Sequence, residues 1–270
     1  MNTWINGAAG SALDAADRGL SYGDGLFETM YVAGHSVRHL ERHLMRLVRG
    51  CRRLGIEQLE VALVREEIAR AARTLSDGVL KLVVTRGPGP RGYRPSGNEV
   101  PTRILSWSAL RAADPAAASA GVRVRYCATR ATENTALAGL KHLNRLDSVL
   151  AQLEWSDPAI AEGLLCDSQG SVVGGTMSNL FAVRDRTMLT PRIDRCGVSG
   201  IMRSVVIDAA RNEGLEVVEQ ALSLADVAAA DELFLTNSII GVWPVRALDA
   251  KNYPVGAVTR RVQAAAERVV

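Results

Sequence analysis

Leu40, Leu44, Leu47, Cys51 and Leu54 recur at three- and four-residue steps, with arginines filling the gaps between them. That period gathers the apolar side chains on one face of a helix and leaves the charges in water. The pattern predicts a helix there and a second over roughly 61–75, closed by Gly78. Short apolar runs predict strands over 3–6, 27–32, 79–85 and 104–107, and Asn6-Gly7 signals a tight turn after the first. Residues 122–127 alternate apolar and basic side chains, as a half-buried strand does. Leu143, Leu146, Val149, Leu150 and Leu153 mark another helix. Strands follow over 163–167, 171–173, 179–183 and 187–189, with Asp167-Ser168-Gln169-Gly170 as a hairpin turn. A helix over 201–212 stops at Gly214, and strands over 215–219 and 232–236 flank a short helix that Ser223 can cap.

The run from 109 to 121 consists of small residues with Pro115 in the middle and Gly121 at its end. It reads as an interdomain linker. The expected organisation is an α/β (α+β) chain with a smaller domain over 1–108, a linker over 109–121 and a larger domain over 122–270. Aromatic residues are only 4% of the chain, so Leu, Val and Ala must do most of the packing. Net charge is +3 and the arginines are dispersed; Arg49, Arg52 and Arg53 read as a solvated helix face. That argues against a nucleic-acid partner, which calls for a concentrated basic stripe. No window approaches the ~18 apolar residues of a membrane span, and the N-terminus lacks the pattern of a signal peptide. The four cysteines are far apart, which favours reduced thiols and a cytoplasmic protein. His35, His39 and His43 would share a helical face if the first helix began early, but no acid or cysteine completes a metal set, and no metal is expected.

Four stretches can carry chemistry. Lys141 follows Ala138-Gly139 and precedes a helix, a junction where a lysine can be held and partly desolvated. A Schiff-base lysine needs both, and the charges of His142 and Arg145 favour the neutral amine. The alternative is an ordinary exposed lysine. Cys196-Gly-Val-Ser-Gly-Ile201-Met202-Arg203 runs a glycine-bearing loop into a helix N-terminus, which is either a phosphate seat or a plain helix start. Thr85-Arg-Gly-Pro-Gly-Pro-Arg91-Gly-Tyr93-Arg94-Pro95 is a stiff loop with three arginines, suited to acidic substrates or simply to staying soluble. Asp17-Arg18-Gly with Tyr22-Gly-Asp-Gly-Leu-Phe-Glu-Thr29 is turn-rich but not a dinucleotide loop, because Glu28 stands where the third glycine belongs.

Taken in chain order, the four stretches resemble the class IV (fold-type IV) pyridoxal-phosphate enzymes, from Trp4 to about Val245. That family contains branched-chain and D-amino-acid aminotransferases and aminodeoxychorismate lyases. Leu40-Glu-Arg-His-Leu-Met-Arg46-Leu and Ser178-Asn-Leu-Phe181 are similar to further family signatures. Gly139-Leu-Lys-His-Leu-Asn-Arg-Leu-Asp and the Thr85–Tyr93 loop resemble the lyase branch, with an aminotransferase as the alternative. The resemblance implies a two-domain fold-type IV architecture, bound pyridoxal 5'-phosphate and a homodimer acting on a small anionic substrate. It implies Lys141 as the Schiff-base lysine and proton carrier. Arg46, the backbone of Ile201 and Met202, and Asn237 with Ser238 would hold the phosphate. Arg91, Tyr93 and Thr29 would contact substrate. One departure stands out: Gly174 occupies the place where the family carries a glutamate for the pyridine nitrogen. A carboxylate there strengthens the cofactor as an electron sink, so its loss bears hardest on aminotransferase activity. A non-catalytic cofactor-binding protein is the further alternative.

Overall fold

A computed structural model describes residues 2–10, 12–110 and 115–269. The chain forms two compact units, Met1–Arg111 with Leu140–Asn144, and Ala112–Gly139 with Arg145–Val270. Its architecture is the mixed α/β one expected from the sequence.

The first unit contains β1 (Asn2–Ile5), β2 (Ala8–Ala9), α1 (Arg18–Tyr22), β3 (Gly25–Ala33), β4 (Ser36–Val37), α2 (Leu40–Leu54), α3 (Val61–Ala72), β5 (Asp77–Thr85) and β6 (Thr102–Ala109). Its six strands form an antiparallel sheet in the order β2-β1-β6-β5-β3-β4. Leu44, Leu47 and Cys51 of α2 are buried, as are Leu26, Met30 and Val32 of β3. Helix α3 ends earlier than its apolar pattern suggested. Gly78 does not close it but pairs within β5, opposite Ala109, where its missing side chain accommodates Ser108 O and Leu75.

The second unit contains α4 (Pro115–Ala120), β7 (Val122–Arg130), α5 (Leu146–Gln152), β8 (Ile160–Cys166), β9 (Val172–Gly175), β10 (Asn179–Arg184), β11 (Thr187–Pro191), α6 (Ile201–Asn212), β12 (Val217–Gln220), α7 (Leu224–Ala228), β13 (Glu232–Asn237), β14 (Gly241–Leu248), β15 (Lys251–Asn252) and α8 (Ala257–Glu267). A mixed sheet runs β12-β11-β10-β13-β14-β7-β8-β9, with β15 on β14. Strand β10 is buried on both faces: Phe181 and Val183 join one core cluster, Leu180 and Ala182 the other. A near-continuous apolar run suits such a strand. Phe181 stacks on Phe234 at 4.9 Å between ring centroids, and α6 and α8 contribute to the same core.

Of the expected linker, residues 111–114 lie outside the described residues; residues 115–120 are the short alanine-rich helix α4, and Ala109 belongs to β6. The helix expected over the 143–153 leucines is α5, but Leu146, Val149, Leu150 and Leu153 are exposed rather than buried. Burial pushes the Cys51 and Cys127 thiols up to about 12 and Cys196 up to about 11, and all four cysteines are free and buried. No helix among the described residues is long and apolar enough to cross a membrane.

Candidate active site

In the first unit, strand β3 organises the chemistry. Its free edge binds the lysine segment: Phe27 N–H donates to Lys141 O (2.9 Å), Leu143 N–H donates to Gly25 O (3.0 Å), and Leu26 bridges His142. This pairing places residues 140–144 with the first unit, although the sequence assigned them to the second domain. The Lys141 ammonium lies 4.2 Å from the Phe27 ring centroid. Strand alternation puts Thr29 on the same face as Phe27 and turns Glu28 to the opposite one.

Glu28 is almost fully buried and serves two cations or donors on α2. Arg46 forks onto it through Nε (2.8 Å) and Nη2 (2.5 Å), and His43 Nδ1–H donates to it at 2.6 Å. Burial works to raise the Glu28 pKa, but Arg46 and His43 outweigh it and hold the carboxyl below its usual range. For His43, burial dominates and lowers the pKa; Glu28 opposes that, while Arg46 and Lys141 add to it. The three histidines share no helical face, because His35 and His39 both have positive φ and precede the helix. No metal-holding group exists among the described residues.

A pH effect follows. The folded state disfavours the His43 proton, so it binds less proton than the unfolded chain near the ordinary histidine pKa of about 6.5. Stability is therefore present above that pH and falls as pH drops through it. Thermal melts between pH 8 and 5 should show this acid limb, and His43→Asn should flatten it; an unchanged slope in the variant would refute the assignment.

Arg91, Tyr93 and Arg94 stand exposed on the loop between β5 and β6. The Tyr93 ring packs edge-on against Tyr22 at 5.5 Å.

In the second unit, Gly200 is the N-cap residue before α6, and no side chain caps the helix. A Cβ on Gly200 would lie 2.0 Å from Asn179 Oδ1, so a capping side chain has no room there. Asn179 Nδ2 holds the preceding loop by donating to Val198 O at 3.0 Å. The first-turn amides of Ile201 and Met202 are thus presented at the positive end of a twelve-residue helix, an arrangement that suits a phosphate. Asn237 precedes a turn that its own side chain holds. Its Oδ1 accepts from Ile239 N and Ile240 N, and its Nδ2 donates to Met177 O, so its side chain shapes a turn; Ser238 sits within that turn. Thr236, unnoticed in the sequence, carries a buried hydroxyl with no hydrogen-bond partner among the described residues.

Gly174 lies on β9 with φ +153°. The turn beyond it is built around Glu162, also missed from the sequence. Glu162 accepts from Thr176 N (3.1 Å), Thr176 Oγ1 (2.5 Å), Met177 N (3.1 Å) and Ser178 Oγ (2.9 Å). A lone acid in the apolar strand Ile-Ala-Glu-Gly-Leu-Leu-Cys was the available signal. Gly174 pairs with Leu165, whereas Glu162 alternates with Leu164 on the other face of the sheet, so Glu162 does not stand in for a side chain at 174.

A family model for amino-transferase class IV matches residues 25–248. The chain belongs to the class IV aminotransferase family. An aminodeoxychorismate lyase of Vibrio harveyi is 33% identical over 264 residues, covering 96% of this chain and 97% of that one. A Methanocaldococcus jannaschii protein assigned as a branched-chain-amino-acid aminotransferase is also 33% identical, over 277 residues, covering 97% of this chain and 94% of that one. Among solved structures, the 4-amino-4-deoxychorismate lyase of Pseudomonas aeruginosa superposes with a TM-score of 0.94 at 49% identity, covering 97% of each chain. The fold-type IV architecture expected from the motifs is therefore the observed one.

In the first unit an amine held on a strand edge suits the aldehyde of pyridoxal phosphate. In the second, the uncapped start of α6 suits its phosphate, and position 174 carries no side chain.

Proposed function

We propose that this enzyme is an aminodeoxychorismate lyase, converting 4-amino-4-deoxychorismate to p-aminobenzoate and pyruvate with pyridoxal 5'-phosphate, as a cytoplasmic homodimer. The observation that carries the reading is the Gly139–Asp147 motif, whose lysine is fixed by main-chain pairing to β3 with its amine against Phe27. The strong likeness to the P. aeruginosa lyase supports the same reading. When bound, the cofactor supplies an electron sink for the reacting carbon.

Lys141 holds the cofactor, takes the proton from the amine-bearing carbon and returns one to the departing enol carbon. Arg46, kept in place by Glu28, the amides of Ile201 and Met202, and Ser238 hold the phosphate, with Asn237 shaping the turn around Ser238. Arg91 and Tyr93, with Thr29, take the anionic substrate. The test is a two-product assay. Equal release of p-aminobenzoate and pyruvate from aminodeoxychorismate supports the lyase. Turnover of an amino donor with 2-oxoglutarate, without pyruvate release, would instead establish the aminotransferase alternative. Bound cofactor without either activity would leave a binding protein.

The dimer reading has its own support. Leu146, Val149, Leu150 and Leu153 follow a helical i, i+3, i+4, i+7 pattern yet face outward from α5. A stripe of that kind on a surface commonly marks an interface, and a second copy is the occupant proposed. Leu150→Asp or Leu153→Asp is expected to weaken self-association at least about tenfold, measured by sedimentation equilibrium; an unchanged dimer would exclude α5 from the interface.

A further inference from the structure

We propose that Arg18 is a positioning residue for substrate selection, fixing the loop that carries Arg91, Tyr93 and Arg94. The inference rests on the reading that this loop receives the anionic substrate. Arg18 belongs to α1 and is 3% exposed, an unusual place for a guanidinium. Its Nη1 donates to Gly92 O and its Nη2 to Tyr93 O, each at 2.8 Å, while Nε donates to Asp24 Oδ2 at 3.0 Å. The same side chain lies over the Tyr22 ring at 4.9 Å, and Tyr22 Oη accepts from Gly92 N at 3.0 Å.

Asp24 ties this to the base of the loop. Arg86 donates to both Asp24 oxygens and also to Leu54 O and Gly55 O. Farther along, Glu99 accepts from Ser96 N, Ser96 Oγ and Gly97 N. The loop is thus pinned at its start, centre and end, while Tyr93 remains 86% exposed. The Arg18 and Tyr22 hydrogen bonds act on backbone atoms of the loop, and residues 91, 93 and 94 stay exposed. That is the construction of a preorganised recognition loop, in which the cost of ordering is met before a ligand arrives. Only an arginine supplies two parallel donors to neighbouring carbonyls plus a third to a carboxylate. Lysine at this position would keep the charge and lose the fork.

The experiment uses the cofactor-loaded full-length enzyme with aminodeoxychorismate. Arg18→Lys is expected to raise KM about tenfold or more with kcat within about threefold. It is also expected to speed trypsin cleavage of the Arg91–Gly92 bond at an unchanged melting temperature. Tyr22→Phe, which removes one loop contact and leaves Arg18 and Asp24 in place, should move both readouts the same way by less, and covers the case in which Arg18→Lys does not fold. Arg91→Ala, which itself removes that cleavage site, should raise KM. If Arg91→Ala raises KM but neither Arg18→Lys nor Tyr22→Phe changes KM or cleavage, the positioning role is overturned and the substrate-loop reading stands. If Arg91→Ala and Tyr93→Ala both leave KM unchanged, the substrate-loop reading itself fails, and this inference with it.

Discussion

Lys141→Ala should abolish measurable release of pyruvate and p-aminobenzoate. The lysine serves twice, taking a proton from one carbon and delivering one to another, and a positioned general acid–base is worth about 10²–10⁴-fold for a single transfer. Loss of at least about 10³-fold in kcat is therefore the expected floor. The variant isolates chemistry from folding, because the contacts that hold the segment use its backbone: Phe27 N–H reaches Lys141 O, and Leu143 N–H reaches Gly25 O. Removing the side chain beyond Cβ leaves both bonds intact, so the melting curve should stay close to that of the parent. Borohydride reduction followed by peptide mapping gives the second readout. The parent should carry the pyridoxyl adduct on the peptide containing Lys141, and the variant should carry none. An adduct on another lysine, Lys81 being the obvious competitor 5.3 Å from the same Phe27 ring, would reassign the role.

The elements read best from the sequence were those whose burial is set by periodicity alone. Helix α2 runs Leu40–Leu54 and α6 runs Ile201–Asn212, as their apolar spacing predicted. The Ser223 cap is present as a capping box with Asp226. Helix α8 was not legible, because its buried positions are Thr259, Val262 and two alanines, and the amides of Val258 and Thr259 are taken by Glu232 from a distant strand. The α5 stripe was legible as a helix but not as an outward-facing one, since periodicity reports which residues share a face and not what covers it.

The site divides along the same line. Lys141 and the α6 start announce themselves by motif and are nameable from the sequence as candidates. Residues that act by holding others are not. Arg18 and Glu28 lie in a motif whose spacing shows only turns, Glu162 stands just before a predicted strand, and their partners come from elsewhere in the chain: Gly92 and Tyr93 for Arg18, Arg46 and His43 for Glu28, the 176–178 turn for Glu162. A buried charge is recognisable only once its partners are in place. That Glu162 does not replace the side chain missing at 174 likewise follows only from the sheet pairing, which turns it to the other face.

Position 174 gives the remaining large effect. Introducing glutamate there is expected to alter reaction preference while leaving cofactor binding intact, and to lower stability. The stability cost comes from the backbone: φ is +153°, and a Cβ would sit 2.9 Å from Ser178 O, the atom that accepts the Gly175 N–H closing the turn. Strain of this kind costs about 1–3 kcal/mol, and Gly174→Ala measures it without adding a charge. The difference between the Glu and Ala variants then reports the carboxylate alone. A carboxylate facing the ring nitrogen favours its protonated form and strengthens the electron sink, which matters most where no other driving force helps the reacting carbon. In the lyase reaction the formation of an aromatic ring drives the elimination, so that help is less needed, and this is the physical sense of a glycine being tolerated here. Gly174→Glu should consequently gain amino transfer to 2-oxoglutarate relative to Gly174→Ala, with both variants retaining one cofactor per chain by absorbance after gel filtration. Loss of the cofactor from the Glu variant but not from the Ala variant would show that the pocket at this position is closed to a carboxylate altogether, and the account of Gly174 as a tuning position would fall.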